Sequence, residues 1–130
     1  MIIVTAETVD PSTLYEKLEK SEAGSVLFHY AVVKRRAGDR SSDGILFERT
    51  GDMEAELSAL ESGMKSRWNI EDVLLVRRIG VLNVGDIISL VAVSSPASRD
   101  AFEACRYGLE QLKSMKTLKK TERITNRETL

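Results

Sequence analysis

Four lysines lie within the nine residues LKSMKTLKK, 112 to 120, of a chain whose formal net charge is −1. On a helical wheel Lys113, Lys116 and Lys120 share one face. Like charges so placed repel, a cost that water tolerates and that a bound phosphate or carboxylate turns into a benefit. Lysine has a second use. Crowded by other cations or withdrawn from water, its amine gives up a proton more easily and becomes a base or nucleophile. Taken alone, the stretch is either a solvated basic face, the commoner outcome, or an anion site with a working lysine.

Other residues invite the same comparison. KRRAGDR, Lys34 to Arg40, is a second basic cluster. SPASRD places Ser98 and Arg99 in the first turn of an expected helix, where free N–H groups and the helix dipole favour an anion. Ser98 as a plain cap and Arg99 as a surface residue explain the same pattern. The single histidine, His29, lies in an expected strand, and no Ser-His-Asp or Cys-His grouping follows from the spacing. Cys105 falls on an apolar helical stripe, where a thiol is an inert core filler.

The totals narrow the classes. With 130 residues, 42% hydrophobic and 30% charged, the chain has the composition of one globular domain rather than a disordered segment. One cysteine excludes an internal disulfide and any cysteine-cluster metal site, so no metal is expected and a reducing cytoplasm is the expected location. No apolar run reaches the roughly 18 to 20 residues that span a bilayer, and the N-terminus lacks the pattern of a signal peptide. Residues 111 to 130 carry six basic groups against two acidic ones, within a chain that is acidic elsewhere. That unevenness fits a discrete anionic ligand or an acidic partner surface better than general nucleic-acid binding.

The elements that must hold these residues can be read in order. MIIVTA is a first strand. DPSTLYEKLEK reads as a helix with Asp10 as cap and Pro11 at its first position, stopped by Gly24. SVLFHYAVVKR and GILFER read as strands, with the basic loop between them. Met53, Leu57, Leu60 and Met64 form one stripe of a helix starting near Thr50 or Gly51 and closing near Gly63. EDVLLVRRIGVLNVGDIISLVAVSS reads as two strands around a turn at Gly80, Asn83 and Gly85. The last helix runs from Ser95 or Ser98, with Phe102, Cys105, Leu109 and Leu112 as its buried stripe. The order indicates an α+β domain on a mostly antiparallel sheet with three helices, over residues 1–122, followed by a mobile tail, 123–130.

RIGVLNVGDIISLVAVSSPASRDAFEACRYGLEQLK, from Arg78, combines an Arg-Ile-Gly turn, a Leu-x-x-Gly-acid hairpin, a VAVSS strand and a helix beginning beside an arginine. As one string it closely resembles the large, catalytic subunit of molybdopterin synthase, and weaker agreement extends over nearly the whole chain. The resemblance implies an α/β hammerhead-like fold and a role in molybdenum cofactor biosynthesis. The family inserts sulfur into cyclic pyranopterin monophosphate to give molybdopterin, with no bound cofactor. Its sulfur arrives as a thiocarboxylate on the C-terminal Gly-Gly of a small ubiquitin-like subunit. The implied assembly is a heterotetramer, a dimer of large subunits with a small subunit at each end.

Carried onto this chain, the resemblance implies Lys113 and Lys120 as the catalytic pair and Lys34, Ser98, Arg99, Thr121 and Glu122 as substrate-binding residues. The pocket also departs from the family. Ser98 and Arg77 each stand where the family has histidine, Lys34 replaces an arginine, and Thr117 and Lys119 replace a proline and a tryptophan. A lysine at 34 gives up the guanidinium's two-pronged grip on phosphate. Two expectations follow: an active synthase subunit, or a family-like protein that binds the small subunit or an anionic ligand without transferring sulfur.

Overall fold

A computed structural model describes residues 1–125. Its order is β1 (Ile2–Thr5), two single 3-10 turns (Pro11–Thr13 and Tyr15–Lys17), β2 (Ser25–Val32), β3 (Arg36–Ala37), β4 (Arg40–Arg49) and α1 (Met53–Arg67). There follow β5 (Asp72–Arg78), β6 (Gly80–Asn83), β7 (Ile87–Ser95), α2 (Ser98–Lys113) and β8 (Leu118–Ile124). The α+β class and the mostly antiparallel pairing are as expected from the sequence.

The central sheet has the order β1-β5-β7-β2, with β1 parallel to β5 and the other pairs antiparallel. β5 and β7 are its two inner strands, and both their faces are covered, so they read as almost unbroken apolar runs. Val73, Leu75, Val91 and Val93 face α1 and α2, where Leu57, Met64, Ala104 and Leu112 meet them. Leu74, Val76, Leu90 and Ala92 face the other way, onto Leu14 and Leu18. Each of the larger side chains contributes about 1.5 to 3 kcal/mol by burial.

A second sheet is built around β4, which pairs with β6 on Gly44–Phe47 and with β8 on Ser42–Arg49. Val33, Ile45, Phe47 and Leu82 form its own small core. Gly44, at φ 140°, lies at a break in the β4–β8 register, and a Cβ there would fall 2.0 Å from the Leu82 carbonyl oxygen. Only glycine fits this crossing.

Several elements differ from the sequence expectation. The first helix is realised as two 3-10 turns, although Asp10 does cap it by accepting from the Ser12 amide at 3.0 Å. Only Leu14 and Leu18 there are apolar and inward, too narrow a stripe for a packed α-helix. The cap of α1 is Asp52, one residue past Gly51, and the helix passes Gly63 to end at Arg67. The segment 71–95 holds three strands, because β6 leaves the central sheet to pair with β4. Phe102, expected in the buried stripe of α2, is 64% exposed. The domain does not stop at 122: Arg123 and Ile124 belong to β8, and the Thr125 amide donates to the Ser41 carbonyl. The remainder of the expected tail, 126–130, lies outside the described residues. Among the described residues no helix is long and apolar enough to cross a membrane.

Candidate functional site

The lysine stretch is not one helix. α2 ends at Lys113, with Ser114 at its C-cap, and the chain turns through 114–117 into β8. Lys113 and Lys120 therefore do not share a helical face, a correction to the helical-wheel reading. Instead one is the last helical residue and the other lies in a strand. The connector is fixed by Glu56 of α1, whose carboxylate accepts from the Lys116 amide (2.9 Å), the Thr117 amide (3.1 Å) and the Thr117 hydroxyl (2.5 Å). Burial raises the Glu56 pKa, but these donors outweigh it and hold the carboxyl below its usual range. Nothing in the spacing of the sequence pointed to Glu56.

β8 then delivers Lys120 into a cleft of about 360 Å³ between the end of β2, the β3–β4 hairpin and β8. Lys34, Arg36, Lys120 and Glu122 line it, over a floor that includes Val33, Ile45 and Ile88. Each residue has a local reason to be there. In an antiparallel pair, directly opposed side chains share a face, so Lys120 lies beside Phe47 and Glu122 beside Ile45. Arg36 is carried by the tight β3–β4 turn, where Gly38 adopts φ 66°. Lys34 follows Val33, whose backbone bonds to Gly85 and Asp86 anchor the strand exit.

Three cations against one carboxylate make the cleft a site for an anion. The Lys120 ammonium is 3.9 Å from Glu122, too far for a hydrogen bond, and its side chain is 60% exposed. Among the described residues nothing takes its donors, which leaves them to meet a ligand. Lys34 and Lys113 form no ion pair among the described residues. A larger hollow of about 460 Å³ is lined by Arg35, Asp43, Asn83 and Thr125, whose charges cancel.

The implied site residues divide into two groups. Lys34, Lys120 and Glu122 converge on the cleft. Lys113 lies at the same end of the central sheet, because α2 runs back along β7 from Ser98. Thr121, on the alternate face of β8 from Lys120 and Glu122, does not line the cleft. Ser98 and Arg99 sit at the far end. The Ser98 and Ser25 hydroxyls are 2.5 Å apart at the start of β2, and Lys34 follows its end. Seven strand steps separate those ends by roughly 23 Å. Arg99 is spent locally on Glu103, at 3.1 Å, and is largely solvent-exposed.

One buried group was not expected. Arg77 is 6% exposed, and burial lowers its pKa to about 10, so it remains a cation at neutral pH. Its neighbour Arg78 is paired with Asp86 at 2.7 Å, which locks the β5–β6 corner to the turn before β7. Cys105 is buried in the α2–β7 packing, and burial pushes its thiol pKa up, consistent with an inert core filler.

Comparison with known proteins agrees with this architecture. The family model described as MoaE protein matches residues 4–115. A molybdopterin synthase catalytic subunit of Haemophilus influenzae is 30% identical over 129 residues, covering 98% of this chain and 86% of that protein. The crystal structure of molybdopterin synthase from Staphylococcus aureus superposes with a TM-score of 0.87 at 25% identity, over 96% of this chain and 92% of that one. A complex of subunits 1 and 2 of molybdopterin-converting factor from Helicobacter pylori shares the fold, with a TM-score of 0.75 at 14% identity over 97% of this chain and 86% of that one. By the extent of the family match and the shared fold, the chain belongs to the MoaE family, the molybdopterin synthase catalytic subunits of molybdenum cofactor biosynthesis.

Proposed function

We propose that this chain transfers sulfur from the thiocarboxylated C-terminus of a small ubiquitin-like subunit to cyclic pyranopterin monophosphate, giving molybdopterin. The observation that carries the reading is the convergence of Lys34, Arg36 and Lys120 on one open cleft, with a single carboxylate among them. Substrate phosphate and the incoming thiocarboxylate are both anions, and such a cleft attracts both. Lys34 and Arg36 at the hairpin side hold the phosphate. Lys120 and Lys113 face the acyl group. Once its sulfur has bonded to the pterin, water adds to the acyl carbon, and an ammonium stabilises the oxyanion so formed. Collapse of that oxyanion breaks the carbon–sulfur bond, leaving the sulfur on the pterin and a carboxylate on the small subunit's tail. A proton delivered by either lysine serves the same step. No resident cofactor is required by this scheme.

The small subunit's Gly-Gly tail is the partner segment, consistent with the two-subunit complex of the Helicobacter pylori relative. The proposed assembly is a heterotetramer built on a dimer of large subunits, working in the cytoplasm. The dimer also gives Ser98 and Arg99 a route to substrate. Within one chain they lie at the wrong end of β2, so only a second copy can bring them to the cleft.

Lys113→Ala and Lys120→Ala test the scheme. Each is expected to slow sulfur transfer by about a hundredfold while the fold is kept, since both residues are exposed. Turnover at the wild-type rate in both variants would remove the two lysines from the mechanism. A stable complex with the small subunit, without any transfer by the wild type, would instead identify a binding protein on this scaffold.

A further inference from the structure

Arg77 is a buried cation with no anion beside it among the described residues. It forms no ion pair among the described residues, and its Nε has no hydrogen-bond partner. Its two contacts reach different elements. Nη1 donates to the Leu112 carbonyl at 3.5 Å, and the guanidinium carbon lies 4.5 Å from the centroid of the Phe47 ring. Leu112 immediately precedes Lys113. Phe47 is directly opposite Lys120 in the β4–β8 pair, on the same face. One guanidinium therefore touches the neighbour of each lysine in the proposed catalytic pair.

Helix capping alone is a poor explanation for this arrangement. A cation at the end of α2 is favourable, but an exposed side chain such as Lys113 already supplies it without desolvation. Burying an unpaired guanidinium is costly, so the position returns something a surface lysine does not. The planar group can lie on an aromatic face and donate at its edge at the same time. A lysine at 77 has a single point charge for both tasks.

We propose that Arg77 is a positioning residue of the two-lysine site: it braces the end of α2 against Phe47 of β4 and so fixes the separation of Lys113 and Lys120. Its catalytic consequence rests on the sulfur-transfer reading; the bracing itself does not. The two are separable by experiment.

Nitroxide labels on Ser114→Cys and Lys119→Cys, in a Cys105→Ser background, report the separation of the two segments by pulsed dipolar spectroscopy. Both label sites are exposed. A narrow distance distribution is expected with Arg77 intact, and a broader one in Arg77→Met, Arg77→Lys and Phe47→Leu, with unchanged far-UV circular dichroism. If Arg77→Met fails to fold, the other two variants carry the measurement. An unchanged distribution in the folded variants overturns the brace. In the transfer assay, Arg77→Lys should lower kcat by about tenfold with KM for the pterin changed by less than about twofold. A merely structural residue would leave kcat per folded molecule at the wild-type value, and that result also overturns the proposal. Should the wild type transfer no sulfur, the functional reading fails, while the distance measurement still decides the brace.

Discussion

Glu56→Ala probes how the chain gets from the helix that ends at Lys113 to the strand that carries Lys120. In the structure one carboxylate receives two backbone amides and a hydroxyl from Lys116 and Thr117. A hydrogen bond to a charged group contributes about 1.5 to 3 kcal/mol when buried, but Glu56 is partly exposed and its donors can turn to water. Discounting for that, the three donors together are worth about 2 kcal/mol. At about 2.1 cal/mol/K of unfolding entropy per residue, a chain of this length should lose about 7 °C in Tm. Local opening of the connector should rise by about thirtyfold, which amide hydrogen exchange at Thr117 reads directly.

The pH dependence has a fixed sign. The folded-state pKa of Glu56 lies below its unfolded value, so the stabilisation is fully present above the unfolded value of about 4.3 and is lost as pH falls through the folded pKa. The stability gap between wild type and Glu56→Gln should therefore be widest near neutrality and close in acid. A loss below about 0.5 kcal/mol, within the range of an ordinary surface substitution, would refute the latch. So would a gap that stays constant from neutral to strongly acid pH.

Two further predictions concern the frame. Gly44→Ala should cost about 3 kcal/mol or more in urea denaturation, since its φ of 140° is strained for alanine and the new Cβ meets the Leu82 carbonyl; a loss under about 1 kcal/mol would contradict the crossing described. Cys105→Ser should retain transfer activity at a stability cost of about 1 kcal/mol. Iodoacetamide should label Cys105 only after unfolding, and rapid labelling of the native protein would contradict its burial.

The parts of the fold that were legible in the sequence are those where burial dominates. β5 and β7 are covered on both faces, and their apolar runs left little choice of structure. α1 kept its stripe for the same reason, Met53, Leu57 and Met64 all being fully buried. Where few contacts decide, the reading failed. Between Asp10 and Gly24 two inward leucines satisfied a helical spacing equally well as a pair of 3-10 turns. In 112–120 the lysine spacing mimicked a helical face, yet the outcome was set by tertiary partners: Glu56 seizing the connector and β4 offering an edge to β8.

The site shows the same division. Lys34 and Lys120 stand out as cations in basic clusters, Glu122 comes from the resemblance alone, and the fold gathers all three. Thr121 was implied by the resemblance, but strand alternation turns it away from the cleft. Arg77 stood out in the sequence only as a departure from the family's histidine, and its burial without an acidic partner among the described residues is visible only in three dimensions.

The most direct test is anaerobic conversion of cyclic pyranopterin monophosphate by this protein with a thiocarboxylated small subunit, beside a Lys120→Ala control. Molybdopterin formed by the wild type and nearly abolished in the control is the predicted result. No molybdopterin from the wild type, despite a stable complex with the small subunit, would contradict the assignment of sulfur transfer to this cleft.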